Sequence, residues 1–145
     1  MAYCTVTDLQ RAMPGQTLIW LSNDDPAATA INATVVNDAI AYAAREINRK
    51  ISGRYELPLQ DATDALVDIA VAIARHYLYA RRPEGQELPE AVTRTYGNAL
   101  KTLTDIRDGK ENLDIAATSA VNIGESPIRT NARTRLFGGD TLGQY

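Results

Sequence analysis

Residues 61–82, DATDALVDIAVAIARHYLYARR, decide the fold. Asp61 and Thr63 are side chains that accept from the free N–H groups of a helix start, and Pro83 cannot continue a helix. Between them Leu66, Ile69, Ile73, Tyr77 and Ala80 recur at three- and four-residue intervals, which places them on one helical face. Ala70, Ala74 and Leu78 widen that face, and Val71, Ala72 and Tyr79 carry apolar character around to the far side. Only Asp64, Asp68, Arg75 and Arg82 form a polar stripe, and it is narrow. A helix apolar over most of its circumference is covered on most sides, by its own domain or by neighbouring subunits. Its uninterrupted apolar run, residues 69–74, is far short of the roughly 18–20 residues that cross a bilayer.

Working outward, the 145 residues suffice for one domain with a core and are few for two. A net charge of -3 provides no overall basic field for nucleic acid. One cysteine, Cys4, excludes an intrachain disulfide framework and suits a reducing compartment. The first residues, MAYCTVTDL, lack the basic and apolar regions of a secretory signal, so none is expected.

Upstream of the central helix, Thr5 with Asp8 three residues later marks a short helix. Leu9, Ala12 and Met13 form its expected inner side, and Pro14-Gly15 ends it. Residues 17–22, TLIWLS, are read as a further helical turn, and Asn23-Asp24-Asp25-Pro26 as a turn. Asn32 caps a long helix over residues 33–52, with Val36, Ile40, Ala43, Ile47 and Ile51 as its stripe and Gly53 as a left-handed closing residue. Leu57-Pro58 requires an extended crossover. Downstream, Pro89 opens a helix ending near Asp108. Val92, Tyr96, Ala99, Leu103 and Ile106 face inward, and Gly109 closes it. Glu90–Arg94 and Lys101–Asp105 stand at the favourable four-residue spacing on its outer face. The pattern predicts an all-α protein: a small antiparallel bundle of about four helices over residues 1–109, then an irregular, extended C-terminal segment, residues 110–145. That segment is rich in Ser, Thr, Asn, Gly and Arg, without helical period, and is expected to be mobile until assembled.

Catalytic constellations are missing from the sequence. His76 is the sole histidine, which excludes a multi-histidine metal site, and it is read as a packed or interface residue. Cys4 is read as a structural thiol. Asp61, Asp64 and Asp68 suit a helix start. Asn23-Asp24-Asp25 begins like a calcium loop, but Ala28 and Thr34 replace the glycine and the bidentate glutamate that such a loop requires. No phosphate-binding glycine loop occurs. The basic cluster Arg45, Arg49, Lys50 and Arg54 is read as a solvated helix end or a subunit contact. Neither an enzyme nor a cofactor is expected.

Several blocks carry a likeness to known proteins: residues 3–9 (YCTVTDL), 53–59 (GRYELPL), 74–79 (ARHYLY), 96–110 (YGNALKTLTDIRDGK) and 137–142 (FGGDTL). Together they resemble Mu-like phage and prophage structural proteins encoded among head genes, of the head–tail connector, adaptor or head-completion type. The resemblance implies that residues 1–109 are a connector domain forming a ring beneath the portal, in the neck of the virion, after synthesis in the host cytoplasm. The implied partners are further copies of itself, the portal protein and the next tail-joining or stopper protein. DNA would pass the channel as cargo, and no membrane is involved. The loop at residues 23–30 departs from the acidic, glycine-containing turn of such relatives, which argues against ion binding there.

Side chains expected to serve these contacts follow from the pattern. Asp68, Arg75 and Arg82, on the polar stripe, are expected at a subunit contact. In the C-terminal segment Ile128, Arg129, Arg133, Arg135, Leu136, Phe137 and Leu142 are expected to bind a partner. The alternative function is a cytosolic helical binding or regulatory module.

Overall fold

In the computed structural model, residues 1–59, 62–81, 87–113 and 115 are described. They form five helices and no strand: α1 (Val6–Ala12), α2 (Gly15–Ser22), α3 (Ala33–Ile51), α4 (Asp64–Ala80) and α5 (Glu90–Arg107). The stretch 17–22, read as a helical turn, is the body of α2. No helix among the described residues is long and apolar enough to cross a membrane.

α4 is the central element, packed against all four of the others. Leu66, Ile69, Ala70, Ile73, Ala74 and Leu78 are buried, and Val67, Val71, Ala72, Tyr77 and Tyr79 pack against the core from its flanks. α3 contributes its whole predicted stripe, Val36, Ile40, Ala43, Ile47 and Ile51, and α5 contributes Val92, Ala99, Leu103 and Ile106. α4 runs antiparallel to both long neighbours. Tyr77 stacks on Tyr42 of α3 with ring centroids 4.7 Å apart, and His76 stacks on Tyr96 of α5 at 3.8 Å. The contacts join the later part of α4 to the middle of α3 and to the first half of α5.

The helix ends show which local signals operate. At α1 the capping box is complete: the Asp8 backbone N–H donates to Thr5 Oγ1 at 3.3 Å and the Thr5 N–H donates to Asp8 Oδ2 at 2.8 Å. Asn32 caps α3 through the Val35 N–H. Gly109 has φ 81°, the Gly109 N–H donates to the Ile106 carbonyl and the Lys110 N–H to the Asp105 carbonyl. That doubled bond is the left-handed closure in which glycine is favoured because a Cβ would be strained.

Four local expectations are corrected. Gly53 is not left-handed, since Gly109 is the positive-φ residue found among those described. α3 instead closes by a tight turn in which the Arg54 and Tyr55 N–H groups both donate to the Ile51 carbonyl. Thr63 occupies the N-cap position of α4 in extended backbone, but its side chain caps nothing and its Oγ1 is buried without a hydrogen-bond partner among the described residues. Ala12 is exposed rather than inward. Asp105 pairs with Lys110 at 3.3 Å, not with Lys101, because the closing turn brings Lys110 over the helix end. Asp61 and Arg82 lie outside the described residues.

A polar knot joins the ends of α3 and α5. Arg54 Nη1 donates to the Ile106 carbonyl at 2.9 Å, and Nη2 donates to Asn112 Oδ1. Tyr55 is buried, and its hydroxyl accepts from the Leu113 N–H at 3.2 Å. Leu113 itself belongs to the core, so packing continues past Gly109. The segment from residue 116 onward, with every partner-binding residue expected there, lies outside the described residues.

Candidate assembly surface

Most side chains with chemical potential are used inside the fold. Cys4 is buried, and burial, with the Asp8 charge, pushes its thiol up to about 11, so little reactive thiolate forms at neutral pH. His76 lies flat against Tyr96, at an interplanar angle of 11°, and burial lowers its pKa. Asp24, in the loop that begins like a calcium site, accepts from Arg81 Nη2 at 2.8 and 3.1 Å. Arg81 Nη1 also donates to the Leu21 carbonyl at 3.1 Å, so this pair clamps the end of α4 to the end of α2. Asp25 accepts from the Ala27 N–H at 2.9 Å. The loop's acids are therefore hydrogen-bond acceptors for its own backbone and for an arginine. Among the described residues, no group of three or more His, Cys, Asp or Glu side chains is placed to hold a metal.

The basic cluster divides in the same way. Arg54 is committed to the α5 end, and Arg49 pairs with Glu46 at 2.6 Å. Arg45 is exposed and lines a shallow hollow with Met1, Ala2 and the outer face of α3. The structural role of Arg54 was hidden from sequence reading, which saw only four cations near one helix end. A signal was present: Arg54 precedes Tyr55, whose burial fixes the corner in place.

What remains outward is a surface along α1 and α4. An open groove of about 430 Å³ runs between them, lined by Asp8, Arg11 and Ala12 from α1 and by Asp64, Val67, Asp68 and Val71 from α4. Asp8 is engaged in the cap and lies 3.6 Å from Arg11. Asp64 and Asp68 are exposed, one turn apart, with no ion pair or hydrogen bond among the described residues. Further along the same face Arg75 is half-buried. Its guanidinium lies 5.8 Å from the Tyr79 ring centroid, and its Nε is buried without a hydrogen-bond partner among the described residues. The structure thus brings two of the three residues expected at a subunit contact, Asp68 and Arg75, onto one exposed stripe. Trp20 of α2 keeps 60% of its surface exposed.

This surface offers charge and apolar area without acid–base pairs, a nucleophile or a phosphate cradle. The sequence matches a known family over residues 3–129, one described as Bacteriophage Mu, Gp36. The chain belongs to that family. It is also 27% identical over 138 residues to gene product J of Escherichia phage Mu, an alignment covering 94% of each chain.

The sequence blocks singled out above lie at the joints of the bundle. From residues 3–9 come the Tyr3 hydroxyl, which donates to Asn48 Oδ1 on α3, the buried Cys4, and the Thr5–Asp8 cap. Burial pushes the Tyr3 phenol up, against a backbone hydrogen bond from Leu59, which ties this block to residues 53–59. The latter block supplies Arg54, Tyr55 and the fully buried Leu59. Residues 74–79 supply both ring stacks, and residues 96–110 supply Tyr96 and the Gly109 closure. In this Gp36-family chain these blocks, within the described residues, supply contacts through which the helices close on one another. Block 137–142 lies outside those residues and beyond the family match, which ends at residue 129.

Proposed function

We propose that this chain is a phage structural protein of the head–tail connector, an adaptor that forms a ring beneath the portal and joins the filled head to the tail. The observation that supports it is the family match across residues 3–129, which supports a structural or assembly role in a Mu-like phage. The fold agrees with that role: a helical body whose Arg54, Tyr55 and Arg81 side chains tie its own joints and whose central helix keeps a charged stripe outward. Two different surfaces of one chain that fit each other give a head-to-tail contact, and such a contact closes a ring when the rotation permits.

In this reading Asp68, Arg75 and Arg82 lie at the contact between copies. Ile128, Arg129, Arg133, Arg135, Leu136, Phe137 and Leu142 engage a neighbouring component, either the portal or the next tail-joining or stopper protein. DNA passes through the ring as cargo. The protein is made in the host cytoplasm and resides in the virion neck.

Deletion of the gene from its phage tests this directly. Filled heads and complete tails should accumulate unjoined, and the purified full-length protein should restore infectious particles to such a lysate. A chain truncated after Ile115 should keep its helix content and fail to restore joining. Normal particle yield from the deletion phage, or absence of the protein from purified virions, would overturn the assignment.

A further inference from the structure

The α1–α4 groove has a specific chemistry. Its apolar part is Ala12, Val67 and Val71, and its rim carries Asp64 and Asp68 with no partner among the described residues. Like charges one helical turn apart repel. Arg11, the cation that shares the groove, lies 3.6 Å from Asp8, so the Asp64–Asp68 pair is left to take a further cation. Asp64 at least benefits from the positive end of the α4 dipole, whereas Asp68 is beyond the first turn.

The sequence holds a matching segment. Residues 128–136 read IRTNARTRL. In an extended chain successive side chains alternate, so Arg129, Arg133 and Arg135 share one side while Ile128, Ala132 and Leu136 share the other. Arg133 and Arg135 would then stand roughly 6.6 Å apart, at about 3.3 Å per residue. Asp64 and Asp68 stand about 6 Å apart along the helix axis, at 1.5 Å per residue. The two spacings agree, and the opposite side of the segment offers apolar side chains to the apolar part of the groove, Ala12, Val67 and Val71.

We propose that the groove between α1 and α4 receives residues 128–136 of a second copy of this chain, with Arg133 and Arg135 seated on Asp64 and Asp68. The proposal rests on the connector reading for its consequence, that each subunit's C-terminal segment straps the next subunit. Reach is sufficient. Arg133 lies eighteen positions beyond Ile115 in the sequence, and an extended chain covers about 3.3 Å per residue, on the order of 60 Å. A folded unit of this size has a radius of gyration near 13 Å. Groove and strap are different surfaces of one chain, so their union is head-to-tail, as a ring demands.

Cysteine trapping in the full-length protein tests it. Copies carrying Ala12→Cys are mixed at high concentration with copies carrying Ala132→Cys and mildly oxidised, with buried Cys4 left in place. A mixed disulfide dimer should form much faster than with Thr95→Cys, an exposed α5 position, in place of Ala12→Cys. Arg133→Asp with Arg135→Asp should slow trapping about fivefold, on the scale of two exposed ion pairs. Asp64→Arg with Asp68→Arg in the receiving copy should restore it. Equal trapping at residues 12 and 95, no mixed dimer, or indifference to both charge reversals would overturn the proposal. So would faster closure within a single diluted chain carrying both Ala12→Cys and Ala132→Cys, since the occupant would then be the chain's own segment. Head–tail joining is measured separately in the deletion phage, so failure of the strap and failure of the connector role give different results.

Discussion

Replacing Arg54 with alanine tests the claim that one arginine closes the bundle. The side chain donates to the Ile106 carbonyl at 2.9 Å and to Asn112, and it packs against Gly109. Hydrogen bonds from a charged donor contribute about 1.5–3 kcal/mol each. Here the Ile106 carbonyl keeps the Gly109 N–H as a second donor, and Asn112 is exposed, so neither acceptor is left buried and bare. Each bond should therefore contribute nearer the ordinary value of about 1 kcal/mol, roughly 2 kcal/mol in all. For a domain of this size that corresponds to a fall in Tm of about 6–10 °C. Urea and thermal denaturation followed by circular dichroism measure the free energy and the Tm, and Arg54→Lys, which keeps the charge but not the fork, should lie between alanine and the parent. A second substitution sharpens the test. A Cβ at Gly109 would stand 2.7 Å from Arg54 Nη1, on a backbone at φ 81°. Gly109→Ala should cost less in the Arg54→Ala background, where only the backbone strain remains. A Tm within 2 °C of the parent for Arg54→Ala, or a Gly109→Ala cost equal in both backgrounds, would refute the closure.

Two other outcomes follow from the core. Ile73→Asp places an unpaired carboxylate at a fully buried site, costing several kcal/mol against a total of about 5–15, and should abolish cooperative unfolding; a parent-like melt would show α4 is not central. His76 has a pKa lowered by burial, so the unfolded chain binds the proton first as pH falls. Its contribution is fully present above the ordinary histidine pKa of about 6.5 and is lost as pH drops below it. His76→Phe, which keeps a ring on Tyr96, should flatten the stability profile between about pH 5 and 7, and an unchanged slope there would count against burial as the cause.

The sequence made the helical body legible because periodicity and capping are local. Leu66, Ile69 and Ile73 announce their common face at any distance from their partners, and Thr5 with Asp8 is complete within four residues. Closing residues were harder where two solutions exist. Gly53 and Gly109 look alike in sequence, yet only Gly109 adopts the left-handed state. After α3 the chain turns without it, because the Arg54 and Tyr55 N–H groups already satisfy the Ile51 carbonyl. The clamps were not legible at all. Arg81 meets Asp24 and Leu21 across about sixty residues, and Arg54 meets Ile106 across fifty-two. No spacing rule links such positions, since the chain between them must fold before they meet.

The same distinction explains why the candidate surface was half visible. Asp68 and Arg75 share a stripe by helical arithmetic, so the sequence places them together before any packing is known. The groove beside them needs α1, and Ala12 shows the difficulty: a short helix of seven residues does not fix its facing by periodicity, and Ala12 turns outward to line the groove. An assembly protein accentuates this difficulty, because a contact surface must satisfy two folds, its own and its neighbour's. Val67 and Val71 pack against their own core while still lining open space. Apolar residues with both attributes look like ordinary core in a single sequence. Their second role becomes readable only when the flanking carboxylates, Asp64 and Asp68, are seen to lack any partner among the described residues.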